Sequence, residues 1–567
     1  MLAAILFGIA VAAFGVIDVG HFYFARRDLQ RTADLAATAA ATTIGSAGGC
    51  GAATTSAQLN ATANGLPSDG TVAVLCGRWD PGASTVSPYF STTTTPINAA
   101  RVTVSRSVRY FFLAGQPRPM SAVATAQATN VGSFSLATGL FALGGSMCQS
   151  NGTPTAAGVA QAGVINGLLG ALLNTSLNLS AVSYCGLANV GVKVSDLMVA
   201  ANVATVDQLL QVPVNVGSLA SLLVTALSQT TVASVVLQAG QSAMQSITAL
   251  NIPGTPKFAL GQTAGSGANG VITLSLANSQ AALSAVINPL DALIVAAEIA
   301  QVGKPAINVG AGINVPGLLG VNLSLQVIQP PVIAIGEAGL NPATNDWRTQ
   351  ARTAQISLAL QVDVGHTGSF ALLGSVLDVT LPLTVQVAYA KSWLQSTQCA
   401  TTRAASRSTI STSPGIANII VGSTSGNSCS QPAQLIGVLG GNLVSVTACG
   451  SAPIAPPGQQ TQVFDGNTQL VSGATPNSNN VGLALANALN QLNLQLTSSL
   501  TVRLLGIPIN LGLLLAPITN AVVDLLTAAL TPLNQLLVIL LQLLGVQLGV
   551  ANVTDLSLSC SVPQLVN

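Results

Sequence analysis

From Met1 to Ile17 the chain carries no charged residue, and the run is followed at once by Asp18, Gly20, His21, Tyr23, Arg26 and Arg27. A helix rises about 1.5 Å per residue, so this run reaches ~25 Å and its extension to Tyr23 covers the roughly 30 Å hydrocarbon layer of a bilayer. Such a segment has to be buried in lipid or against protein. A cleavable signal sequence has a shorter apolar core, a basic start and a small-residue cleavage site. Here no Lys or Arg precedes the run and helical character continues past it, so a retained transmembrane anchor over residues 1–24 is expected. Beyond it, Ala33, Ala36, Ala37 and Ala40 repeat at three- and four-residue spacing with Leu29 one turn earlier. That stripe suits close helix packing, and one helix is expected to continue to about Ile44. Asp18 and His21 lie three apart and share a face. An ionisable group near bilayer depth either reaches water at the interface or bonds a partner helix.

Composition narrows the function classes. Only 6% of residues are charged and the net charge is +1, against about 25% charged in ordinary domains. Without basic clusters nothing neutralises phosphates and releases counterions, which excludes nucleic acid as a partner. Eight cysteines stand at 50, 76, 148, 185, 399, 429, 449 and 560, all beyond the anchor and none in Cys-x-x-Cys spacing. An even number outside the stalk, in a chain with two histidines, reads as disulfides in an oxidising compartment. Nearness pairs Cys50 with Cys76 and Cys148 with Cys185, and leaves Cys399, Cys429, Cys449 and Cys560 with three connectivities. The Arg26–Arg27 pair favours a cytoplasmic position for that side of the anchor, but long domains translocate largely regardless of flanking charge, so export is expected.

The expected fold class is α+β: a long N-terminal membrane helix with a small sheet, followed by a large mixed helical and antiparallel β-rich exported region. Residues 25–130 form the stalk helix and small sheet, with strands at Thr71–Trp79 and Arg101–Phe112. A Gly- and Ser-rich connection follows from Gly132 to Pro154. Residues 131–310 are mainly helical, with helices at Ala156–Leu173 and across Ser195–Asn251 broken at Pro213 and Gly217, and one over Ala281–Gln301 interrupted near Pro289. Residues 311–567 are β-rich with apolar C-terminal helices. Strict alternation at 321–327, 356–364 and 379–389 predicts sheet with one apolar face, while Ala400–Ser430, Ser451–Gln460 and Gly473–Asn480 read as loops. The apolar segment Leu504–Val550 is divided by Pro508, Pro517 and Pro532 and carries amides that a bilayer would not tolerate unpaired, so it reads as packed helices.

Chemistry is sparse. Gly265 to Gly270 satisfies Gly-x-Gly-x-x-Gly, but a dinucleotide loop needs a strand before and a helix after, and a strand from Val271 to Leu276 is expected to follow it. Asp363, His366 and Ser369 are too close in sequence to be assumed a triad. No metal constellation, nucleophile elbow or P-loop is present. No enzyme activity, cofactor or metal is expected.

The segment Asp18, Gly20, Tyr23, Arg26, Leu29, Gln30, Ala33, Asp34, Ala36 and Ala37, placed behind an apolar run, resembles the N-terminus of TadG-like proteins of the tight adherence (Tad/Flp) pilus assembly system. Thr32 stands where the family has a small or Asn-like residue, and the usual basic segment before the apolar run is missing. Leu381 to Cys399 has a looser similarity to a strand-to-cysteine segment of the same proteins. The resemblance implies a pilin-like plan in which the helix packs on the sheet and its apolar half joins neighbouring subunits. It also implies a single-pass inner-membrane location with the bulk of the chain periplasmic or extracellular, other Tad/Flp components as partners, room for self-association, and a structural role in adherence or biofilm formation. Asp18, Gly20, Tyr23, Arg26, Leu29, Gln30, Ala33, Asp34 and Ala37 would then serve assembly or helix packing. A second reading is an exported carrier or sensor enclosing a lipid or other apolar ligand.

Overall fold

The computed structural model describes the chain apart from residues 1, 82–86, 113–115, 137–147, 149–152, 230–234, 251–255, 264–268, 277, 309–319, 342–343, 364–376, 388, 414, 416, 426–427, 439–443, 455–457, 467–486, 489, 493, 496–500, 509–552, 561–562 and 567. Residues Leu2–Ile44 form one helix, α1. Its second half is fixed by the alanine stripe: Leu29, Ala33, Ala36, Ala37, Ala40 and Ile44 are all buried. They pack on Ala53, Ala57 and Ala61 of α2 (Gly49–Ala63) and on Ala100, Val102, Val104, Ala122, Ala124 and Ala126 of a sheet. Alanine on both sides lets backbones approach closely but removes little apolar area per residue from water. The Cys50–Cys76 disulfide, which ties α2 to the sheet across a sequence separation of 26, adds about 3 kcal/mol in the loop-entropy picture. The reversal between the helices falls on glycines for steric reasons. Gly49 sits at φ +51°, and a Cβ on Gly45 would meet Asn130 Nδ2 at 2.3 Å.

The sheet under α1 is antiparallel, in the order β2 (Phe90–Ser91), β1 (Thr71–Trp79), β3 (Ala99–Val108), β4 (Arg118–Gln127), and finally Gln564–Val566 from the far end of the chain. The expected strand to Phe112 stops at Val108. Tyr110, Phe111 and Phe112 leave the sheet and turn onto α1, because the helix offers them aromatic and carboxylate partners described below.

A second sheet of five strands takes β5 (Val131–Leu136) as a central member, flanked by Val553–Ser559 and Ile333–Gly336, with Ile272–Ser275 and Gly261–Thr263 added in parallel. Of the connection expected over Gly132–Pro154, residues 132–136 are therefore strand, and most of the rest lies outside the described residues. Serine inside it is tolerated because Ser133 Oγ donates to Val286 O at 2.9 Å and Ser135 Oγ to Asp291 Oδ2 at 2.7 Å. The regions 131–310 and 311–567 share this sheet. The Gly-x-Gly-x-x-Gly stretch lies mostly outside the described residues. Gly270, at its end, runs into the strand Ile272–Ser275 and not into a helix.

The helical region is built from helices at Ala156–Leu173, Ala181–Ala188, Val194–Ala201, Val206–Leu210, Val216–Ser228, Val235–Ala249 and Pro289–Ile299. Two expected breaks move. Gly217 lies in the first turn of its helix, which Asn215 caps at its N-terminus in a reciprocal bond with Ser218. Pro289 begins its helix at the first-turn position, where proline costs no hydrogen bond.

The three alternating stretches pair as neighbours in a ten-stranded sheet: Gly320–Gln329 with Gln355–Asp363, and that with Leu377–Val387. Register sets Leu323 opposite Leu360, Leu325 opposite Leu358, and Leu358 opposite Val385, all buried. Period two thus fixed the core face. Within Ala400–Ser430, expected as loop, lie the strands Arg407–Ser413 and Ala417–Val421, and Gly450–Ile454 is a strand as well. The Ser and Thr residues of Arg407–Ser413 favour turns locally but are held as strand once paired with neighbouring strands. Of the apolar C-terminal segment, Thr501–Leu504 and Ile507–Pro508 pair as strands, and the helices expected over 509–552 lie outside the described residues. His366 and Ser369 do also.

Candidate assembly face on the N-terminal helix

The two halves of α1 have opposite surroundings. Behind Ala25 one face is seated on α2 and the sheet. Ahead of it, Ile5, Ile9, Val11, Phe14, Val16, Ile17 and Val19 are exposed, Val16 and Val19 by about 70%. Among the described residues no helix is long and apolar enough to cross a membrane. The side chains of residues 1–4, 6, 7 and 10, on which the expected anchor partly rests, lie outside the described set. A large uncovered apolar strip on a helix marks a surface meant for another apolar body.

The boundary between the halves is made by Asp18, which is 1% exposed. Its Oδ1 accepts the backbone N–H of Phe111 at 2.6 Å and of Phe112 at 3.1 Å. The carboxylate therefore has partners within its own chain, where the sequence left a choice between water and a partner helix. Aromatic contacts lock the same junction: Phe14 stacks on Phe112 at 4.8 Å, Phe22 meets Tyr110 edge-on at 4.9 Å, and the His21 ring lies 6.1 Å from that of Phe111. Tyr110 to Phe112, following β3, are thus pinned along the helix by two charge-assisted hydrogen bonds and three ring contacts.

The remaining residues singled out from sequence divide between two environments. Leu29, Ala33, Ala36 and Ala37 are buried under the sheet. Gln30 donates to Asp34 Oδ1 at 2.8 Å and to Val123 O at 3.2 Å, fastening α1 to β4. Tyr23 is 67% exposed, Arg26 is exposed, and a Cβ on Gly20 would meet no atom of this chain. The structure brings Asp18 together with the turn, and not with Tyr23 or Arg26. The disulfides are Cys50–Cys76, Cys148–Cys185 and Cys399–Cys560. Cys449 is disulfide-bonded as well, and the side chain of Cys429 lies outside the described residues.

Sequence reading missed two features. One is the Tyr110-Phe111-Phe112 turn, whose signal was available as three aromatics between Arg109 and Arg118. The other is Arg78, 2% exposed, on β1. It bonds Glu337 of the second sheet's surroundings and Asp80 at 2.9 Å, and donates to Pro96 O at 3.3 Å. Burial pulls the Arg78 guanidinium down, and the Glu337 and Asp80 carboxylates more than offset this, leaving it above the ordinary arginine value. Arg348 stands nearby, 3.9 Å from Asp80, lowered by burial and by Arg78. This network joins the N-terminal sheet to the body and borders a cleft of about 820 Å³ that also meets Arg352, Lys391 and Asp346. Its lining sets these charged groups beside Leu274, Trp347 and Tyr389.

The N-terminal residues thus form a long helix, half seated on a small antiparallel sheet and half uncovered. Residues 1–43 match the Flp pilus-assembly TadE/G-like family, and residues 37–126 match the Tad-like Flp pilus-assembly family. Over these residues the chain is similar to TadE/G-like and Tad-like proteins of Flp pilus assembly. Neither a curated protein nor a solved structure matches it.

Proposed function

We propose that this protein is a membrane-anchored structural component of Tad/Flp-type pilus assembly in the cell envelope, acting by protein–protein contact and not by catalysis. The observation that carries the reading is the uncovered apolar half of α1 within a segment matched to pilus-assembly families. The uncharged start of the helix enters the inner membrane, and the disulfide-bearing bulk lies on the oxidising side. The polar, weakly charged body then meets other Tad components and supports adherence.

The test is alkaline extraction of membranes from cells making the full chain, alongside a variant with Ile9→Arg and Val16→Arg. Wild type should stay in the pellet and the variant should be released. Wild type found in the supernatant would defeat the anchoring. Co-purification with other Tad/Flp components should also be lost in the variant, and retention of those partners would place the contact elsewhere.

A further inference from the structure

The junction at Asp18 joins three things that a water-facing turn has no use for together. The first is exposed aromatic surface: Phe111 is 69% and Phe112 48% exposed, on a turn that lies against Phe14 to Phe22 of the helix and so level with its apolar half. The second is closure of polar groups. The amides of Phe111 and Phe112 are given to Asp18, so these two N–H groups are satisfied where they would meet an apolar phase. The third is charge. Arg26, Arg27, Arg31, Arg106, Arg109 and Arg118 are six of the chain's 17 cationic residues, and they gather on the helix and the hairpin just behind the aromatics. The acidic residues among them are Asp18, buried on the amides, Asp28, which pairs with Arg31 at 3.0 Å and Arg106 at 3.9 Å, and Asp34, bonded by Gln30. Arg26, Arg27, Arg109 and Arg118 are exposed.

We propose that Tyr110 to Phe112, at the end of β3, form a second membrane contact. Phe111 and Phe112 enter the acyl boundary beside α1, and the arginine band rests on anionic phospholipid headgroups. The geometry follows the general layout of interfacial aromatics backed by cations. The helix from Leu2 to about Phe22 would reach ~31 Å, which sets Asp18 inside the interface and the arginines just outside it. The turn thereby fixes the depth and rotation of the helix and gives the module a set orientation on the membrane. A band of this kind favours anionic over zwitterionic lipid by about fivefold per arginine engaged.

This inference rests on the anchoring proposed above, and the experiment separates the two. The full chain is reconstituted into vesicles of phosphatidylcholine alone or mixed with phosphatidylglycerol, with brominated acyl chains as quencher. Tryptophan is placed by Val16→Trp on the helix, Phe111→Trp on the turn and Leu59→Trp on α2, and the signal of native Trp79, Trp347 and Trp393 is subtracted. Positions 16 and 111 should be quenched and position 59 not. Quenching at 16 without quenching at 111 overturns the turn contact alone; no quenching at 16 overturns the anchoring as well. Phosphatidylglycerol should deepen quenching at 111, and Arg109→Gln with Arg118→Gln should return it to the phosphatidylcholine level. Indifference to phosphatidylglycerol would overturn the headgroup contact and point to a protein partner for the arginines.

Discussion

Asp555 illustrates how this chain treats the few charges it buries. It lies in the strand Val553–Ser559, and its Oδ2 accepts the Ser408 hydroxyl. Burial raises its carboxyl to about 7 against the Ser408 bond, which works the other way, with Asp465 adding to the rise. Glu298, fully buried in its helix, is raised well above the ordinary carboxylate range by the same cause. Both groups bind a proton in the folded state at pH values where the unfolded chain has released it. The stability Asp555 lends is therefore full below the ordinary carboxylate range and is lost as pH rises towards 7, about 4 kcal/mol in all, and Glu298 acts in the same direction. Asp555→Asn should remove Asp555's share of that slope, leaving Glu298's, and make the variant more stable than wild type at pH 8 but not at pH 4, read as urea midpoints; an unchanged slope would refute the assignment. Asp18 answers to a different rule. Asp18→Ala leaves the amides of Phe111 and Phe112 without an acceptor, a loss of about 1–3 kcal/mol, whereas Asp18→Asn keeps one oxygen in place. Hydrogen exchange at these two amides should accelerate strongly in the first variant and weakly in the second. Neither carboxylate's partner was legible in sequence, because each is reached only through tertiary placement.

Whole elements were more readable. The alanine spacing on α1 and the alternation at 321–327, 356–364 and 379–389 were visible because helical and strand periods differ and apolar side chains follow them. The end of β3 was not, since Tyr110 to Phe112 continue an apolar pattern and only docking on α1 decides that they are a turn. Serine-rich strands such as Arg407–Ser413 were unreadable for a related reason: their identity comes from neighbours, not from their own residues. The helix–sheet contact supplies a prediction at this scale. Ala36 and Ala37 are fully buried, so Ala36→Leu has no space to occupy and should destabilise the N-terminal module by about 1–3 kcal/mol. Leu35→Ala, on the more open side of the same turn, should have little effect on thermal unfolding followed by circular dichroism. Equal effects would mean that the alanine stripe is not closely packed.

At the scale of the molecule, connectivity is non-local, and no local pattern reports it. The second sheet collects strands from four separated segments, and the Cys399–Cys560 disulfide spans a sequence separation of 161. The N-terminal module is joined to this body through Arg78, Glu337 and Asp80. Arg78→Met should cost about 3–5 kcal/mol, because it leaves a carboxylate buried without its cation, and adding Glu337→Gln should recover part of that loss. Limited proteolysis of the connection after Gln127 measures it: faster cleavage in the single variant than in the double is expected, and equal rates would show that the network does not hold the two parts together.

The short strand Gln564–Val566 lies along β4 in the sheet beneath α1. Because synthesis delivers it long after β4, the nascent module passes through an interval with a bare strand edge already tethered by its helix. An unpaired edge invites strand addition by another chain. Gln564–Val566 therefore acts as a stopper on that edge of the first sheet, closing it to strand addition.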